Sequence, residues 1–60
     1  MRLYRVVGPN FVAGFKCING TVVGYAPILR KWVKNGDKDE DRVVAGLKRS
    51  GVKVQLIYEI

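Results

Sequence analysis

Six basic residues within the first 36 positions are the strongest chemical signal in this chain of 60 residues. No acidic residue accompanies them, so they account for the whole formal charge of +6, while the five bases and five acids of residues 37–60 cancel. Such an asymmetric positive charge favours a polyanionic partner or an acidic surface. The candidate anion-binding residues are therefore Arg2, Arg5, Lys16, Arg30, Lys31 and Lys34.

The partner expected for these cations is a nucleic acid, a nucleotide-like anion or an acidic protein surface. Arginine and lysine neutralise phosphates, and Tyr4 or Tyr25 could stack on a base. Sequence-specific reading of bases is not predicted, because the chain carries no helix-turn-helix, zinc-finger or RNA-binding sheet signature. The alternative is that the basic residues only keep a small domain soluble.

Catalytic chemistry finds little support in the residue types. The chain has no histidine, which removes histidine-based bases and triads, and one cysteine can form neither a zinc site nor an internal disulfide. Cys17 falls in a strand pattern, where a free thiol behaves as a small hydrophobe. We expect a non-enzymatic protein without metal or cofactor, located in a reducing cytoplasm.

The acidic run of residues 37–41 resembles the opening of a calcium loop only in part. Arg42 stands where that loop requires glycine, and Lys48 stands where it requires a bidentate glutamate. A helix start is the better interpretation, with Asp37 as N-cap and Glu40 three residues later as its capping partner.

A β-hairpin centred on Asn19-Gly20 is the element that must position the nearest cations. This dipeptide between two strand-like runs is a strong signal for a two-residue turn. Counting outward from the turn places Gly24 opposite Phe15 and Gly14 opposite Tyr25, so that each glycine would lie under an aromatic ring.

The same register divides the hairpin into two faces. One face is assigned to the core and holds Phe11, Ala13, Phe15, Cys17, Val22, Gly24 and Ala26. The other is too apolar for plain solvent, and we expect a homodimer or partner contact through Val12, Ile18, Val23 and Tyr25. The alternative is that a loop or the twist of the sheet covers these residues within the monomer.

The flanking segments predict one further strand on each side and two short helices. Residues 2–7 alternate as a strand, Pro27 opens a first helix that ends at Asn35-Gly36, and Gly51 ends a second. Residues 52–60 alternate cleanly and predict a last strand with one apolar side. We expect a close approach of another element to explain Gly46 in the second helix.

The predicted fold is a single α+β domain over residues 1–60, in the order β-β-β-α-α-β, with a mainly antiparallel sheet and two short helices on one face. The sequence leaves open whether the last strand joins beside the first strand or beside the hairpin. The longest uncharged run, residues 17–29, is too short to cross a bilayer, and no signal peptide or membrane partner is expected.

Two segments together resemble a group of short bacteriophage-encoded proteins. The first is Gly20 to Val33, which contains Ala-Pro-Ile-Leu-Arg-Lys-Trp. The second is Val43 to Val54, in which Gly51 comes directly before a predicted strand. The resemblance implies a phage origin and location in the host cytoplasm, and it assigns no catalytic or binding residue. Because small phage proteins often occupy host machinery, it adds an inhibitor of a host or anti-phage defence factor as the alternative function.

Overall fold

The computed structural model describes residues 1–25, 28–29, 32–33 and 38–60. Within these ranges one helix packs on an antiparallel sheet of four strands in the order β3-β2-β1-β4, which confirms the α+β class. The last strand lies beside the first, at the edge of the sheet. The elements are β1 Arg2–Val7, β2 Val12–Ile18, β3 Thr21–Tyr25, α1 Glu40–Arg49 and β4 Lys53–Glu59.

The hairpin turn is the one predicted. Asn19 and Gly20 have φ values of 54° and 76°, and Ile18 pairs directly with Thr21. Both central residues thus adopt the left-handed conformation that a two-residue turn matching the strand twist requires.

A bulge in β3 makes the rest of the predicted hairpin register wrong. Cys17 pairs with Val22 as expected, but Lys16 pairs with Gly24 and Phe15 with Tyr25. The extra residue in β3 moves every later side chain to the opposite side of the sheet. Gly24 therefore leaves the predicted core face, and Tyr25 becomes the neighbour of Phe15 instead of Gly14.

A second bulge interrupts β4. Val54 pairs with Val6 and Leu56 with Tyr4, whereas Tyr58 pairs with Leu3 after a register shift. The predicted one-sided apolar pattern of this strand is therefore wrong beyond Leu56. Tyr58 lies on the side of the sheet away from the core, because cross-strand partners share a face.

The core lies between one face of the sheet and α1. Val43 and Leu47 form the buried stripe of the helix, as predicted, and Leu29 and Val33 complete the core from the connecting segment. The sheet contributes Val6, Phe15, Cys17 and Val22, and Val52 closes the core at the start of β4.

The helix begins two residues later than predicted. Asp39 is the N-cap, and its carboxylate accepts a hydrogen bond from the backbone N–H of Arg42. The predicted N-cap, Asp37, lies outside the described residues. Gly51 follows the helix with φ 97°, in agreement with the predicted stop. The expected close contact at Gly46 is absent, since a Cβ built there meets no described atom within 4 Å.

The first predicted helix falls largely on residues that the structure does not describe. Its described members form a turn in which the N–H groups of Trp32 and Val33 donate to the carbonyl of Leu29. In the described ranges α1 is therefore the one α-helix, where two were predicted. No helix in this part of the chain is long and apolar enough to span a membrane.

Candidate anion-binding face

The side of the sheet opposite α1 carries side chains that all remain at least partly exposed. We call this side the open face. Cross-strand pairing defines its membership, because paired residues share a face. Its larger paired side chains are Leu3, Arg5, Val7, Val12, Lys16, Ile18, Lys53, Gln55 and Tyr58. Val23, the extra residue of the β3 bulge, has no cross-strand partner; it is exposed and follows buried Val22, so alternation along the strand places it on the same side.

Three exposed cations cross the open face on one diagonal. Arg5 on β1 pairs with Gly14 on β2 and with Gln55 on β4. Lys16 lies two residues beyond Gly14, and Lys53 lies two residues before Gln55, so each is a diagonal neighbour of Arg5. Diagonal neighbours in antiparallel sheets are about 7–8 Å apart. Lys16, Arg5 and Lys53 form the basic diagonal.

Acidic side chains are absent from the open face in the described parts of the chain. Asp39, Glu40 and Asp41 begin α1, and Glu59 bonds to Arg2 on the helix side of the sheet. No described carboxylate therefore competes with an incoming anion for the basic diagonal. The positive potential of the open face follows from this separation of charges.

Apolar side chains and one aromatic ring flank the basic diagonal. Val12, Ile18 and Val23 are 62%, 42% and 51% exposed, so three of the four predicted interface residues share this surface. Tyr58, which is 53% exposed, lies beside Leu3 and extends the surface at the β4 edge. The fourth predicted residue, Tyr25, is the neighbour of Phe15 on the other face.

Arg2 lies on the helix side, away from the other cations of the sheet. It is the cross-strand partner of buried Cys17, and its guanidinium bonds to Glu40 at 2.9 Å and to Glu59 at 2.7 Å. The hydrogen bond to Glu40, followed by that to Glu59, raises the pKa of Arg2. Its charge is thus matched by carboxylates within the fold.

Glu40 is the one buried charged side chain in the described part of the protein. Its Oε2 accepts hydrogen bonds from the Tyr4 hydroxyl and from the Arg2 guanidinium. The bond from Tyr4, and then the bond from Arg2, lower the pKa of this carboxyl. Glu40 is therefore held ionised and joins the start of α1 to β1.

The aromatic stacking role predicted for Tyr4 does not fit its position. Its ring stacks on Phe15, with centroids 4.9 Å apart, and its hydroxyl is committed to Glu40. Tyr58 occupies the open face in its place. Cys17 is fully buried, and burial raises the pKa of its thiol to about 11, which keeps it protonated at neutral pH.

Of the six predicted anion-binding residues, the structure places Arg5 and Lys16 together on the open face. It places Arg2 on the other side, and Arg30, Lys31 and Lys34 lie outside the described residues. Lys53 and Tyr58 were missed by sequence reasoning. Lys53 belongs to the half of the chain without net charge, and a bulge that no local pattern signals moves Tyr58 to the open face.

Within the described ranges, no cluster of three or more His, Cys, Asp or Glu side chains could hold a metal ion. Comparisons with protein-family models, with curated proteins and with solved structures find no match to this chain. The geometry of the open face is therefore the guide to function.

Proposed function

We propose that this protein binds single-stranded nucleic acid on its open face and catalyses no reaction. The observation that supports this most directly is the separation of charge across the sheet. Arg5, Lys16 and Lys53 are exposed on one face, while the four described acidic residues belong to the start of α1 or to the Arg2 cluster.

The basic diagonal provides contacts to the phosphate backbone. Its three cations lie on three neighbouring strands, so a strand of nucleic acid that crosses the sheet obliquely would meet them in succession. Charged contacts of this kind depend on phosphates and are indifferent to base sequence. The expected affinity is therefore non-specific and sensitive to salt.

Exposed apolar groups beside the cations favour a single strand over a duplex. In a duplex the bases are stacked and face inward, whereas single-stranded bases can lie on aromatic and aliphatic side chains. Tyr58 and Val23 flank the basic diagonal at the two edge strands and would provide such contacts.

Self-association through the open face, the homodimer predicted from the sequence, meets an electrostatic obstacle. Two copies packed with their open faces together would bring two basic diagonals into one interface, without a described carboxylate on either side to pair with them. Like charges that meet in an interface cost free energy, whereas a polyanion provides negative charges that pair with the basic diagonal of each copy. We therefore expect the polyanion to be the preferred partner of this surface.

A second candidate is inhibition of a host or anti-phage defence protein through the same face. The exposure of Val12, Ile18 and Val23 beside the cations favours it, because exposed apolar side chains with polar groups around them often mark a protein-binding surface. The partner would have to carry an acidic surface. The resemblance to phage proteins sets this candidate in an infected cell.

The test is a titration of fluorescently labelled single-stranded DNA and RNA of about ten nucleotides, within the range that one small binding domain covers. Affinity should fall with salt, and three phosphate contacts should give a slope of log K against log salt of about −2. A duplex of equal length should bind more weakly.

The informative variant is Arg5→Gln with Lys16→Gln, which removes two charges from the open face. Its matched control is Lys48→Gln with Arg49→Gln, which removes two charges from the exposed last turn of α1. The first should lower affinity by tenfold or more, and the second should change it little. Equal losses in both variants, or no binding at low salt, would contradict the proposal.

A further inference from the structure

A cavity of about 620 Å³ opens at the end of the sheet where the basic diagonal terminates. It lies between the turn that joins β1 to β2, the C-terminal end of α1 and Trp32. Its walls include Phe11 and Trp32, whose rings are 6.4 Å apart and tilted by 33°. A volume in this range is typical of small-molecule sites.

The cavity is continuous with the open face. Lys53 and Val7 are cross-strand partners on that face, and both also line the cavity. Lys53 is the last cation of the basic diagonal, so a phosphate held there would place its own base at the mouth of the cavity. Among the described residues that line the cavity, none is acidic.

We infer that this cavity receives one nucleobase of the strand bound on the open face, with Lys53 holding the adjoining phosphate. This inference rests on the proposed function. Trp32 is 40% exposed and can present part of its ring to a base, which is the arrangement by which single-strand binding proteins gain affinity without reading sequence. Phe11 packs beside it and against the core, which fixes the position of that wall.

The backbone of the turn holds the Phe11 wall of the cavity in place. A Cβ at Gly8 would overlap the Phe11 ring, so the ring rests directly against the glycine backbone. The N–H of Gly8 also donates to the carbonyl of Phe11 at 2.9 Å. Gly8 thus contacts Phe11 twice, through a backbone hydrogen bond and through the ring.

Trp32 is the only tryptophan in the sequence, so its fluorescence reports on the cavity directly. We would titrate the protein with oligothymidine of about ten nucleotides and with an abasic deoxyribose-phosphate strand of equal length. Both probes carry the same phosphates. Oligothymidine should quench the Trp32 emission several-fold more than the abasic strand does.

A variant that blocks the cavity completes the test. Asn10 is exposed and lines the cavity, so Asn10→Phe should obstruct it without removing a cation. This variant should bind the abasic strand as the original protein does, and should lose both the extra quenching and several-fold of its affinity for oligothymidine. Circular dichroism and thermal unfolding establish that the variant is folded.

The outcomes separate the two proposals. Salt-dependent binding of both strands with equal quenching, unchanged in Asn10→Phe, would overturn the cavity inference and leave the open-face function standing. Failure of both strands to bind at low salt would overturn the function itself. If Trp32 is quenched by oligothymidine even after Arg5→Gln with Lys16→Gln, and with unchanged affinity, the cavity acts alone and its continuity with the basic diagonal is refuted.

Discussion

The hydroxyl of Tyr4 donates a hydrogen bond to the buried carboxylate of Glu40, and this bond joins the third residue of β1 to the first residue of α1. Tyr4 is also stacked on Phe15, so its ring and its hydroxyl are both engaged. The bond links residues 36 positions apart and so depends entirely on the tertiary fold.

Removing this hydroxyl should destabilise the protein. In Tyr4→Phe the Glu40 carboxylate keeps Arg2 but loses one of its two hydrogen-bond donors while remaining buried, which costs about 1–3 kcal/mol. Urea denaturation measures the loss. Tyr58→Phe is the matched control, because that ring is half exposed, and it should change the free energy of unfolding by less than about 0.5 kcal/mol.

Stability should also depend on pH through Glu40. The Tyr4 and Arg2 hydrogen bonds lower the pKa of Glu40 in the folded state below the unfolded value of about 4.3. Its contribution is therefore complete above that unfolded value and is lost as the pH falls through the folded pKa. Urea denaturation at neutral pH and near pH 3 measures how much the free energy of unfolding falls in acid. This fall should be smaller for Glu40→Gln than for the original protein. An identical fall in both proteins would contradict the role of ionised Glu40 in stability.

Two glycines should respond in opposite directions to alanine. Gly8→Ala forces a methyl group into the Phe11 ring and should lower the free energy of unfolding by about 1–3 kcal/mol. Gly46→Ala places a methyl group in open space within α1 and should raise it by about 0.5–1 kcal/mol. Thermal unfolding of the pair checks both, and a stabilising Gly8→Ala would mean that the ring does not rest on that backbone.

Lys53 should contribute one phosphate contact to nucleic-acid binding. Lys53→Gln should make the slope of log K against log salt shallower by about 0.7, the value for one contact with a single strand. Lys38→Gln removes the same charge from an exposed position just before α1 and should leave the slope unchanged. A slope unaffected by Lys53→Gln would remove this residue from the basic diagonal.

Local patterns predicted the elements near their strongest signals. Asn19-Gly20 marks the turn because both positions need φ > 0, and Val43 with Leu47 marks the buried side of α1 because helical spacing aligns them. The helix start was misplaced by two residues, since Asp37 and Asp39 are equally suitable caps. Only the hydrogen bond from the N–H of Arg42 distinguishes them.

The candidate site was predicted in part, for an identifiable reason. Arg5 and Lys16 were found because they stand out in an acid-free half of the chain. Tyr58 and Tyr25 were placed on the wrong faces because strict alternation fails at a bulge, where one extra residue exchanges the faces of everything beyond it. A bulge belongs to the pairing of two strands, and neither strand alone encodes it.

The sequence by itself determined the α+β class, the hairpin turn, the apolar core of α1 and the excess of positive charge in the first 36 residues. Tertiary structure alone decided which charges meet. Pairing β4 with β1 brings Lys53 beside Arg5, and docking α1 on the opposite face withdraws Arg2 to Glu40. The physical reason is that turns and helices form from neighbours in the chain, whereas the charge of a sheet face depends on strands that are distant in sequence and on the bulges where they pair.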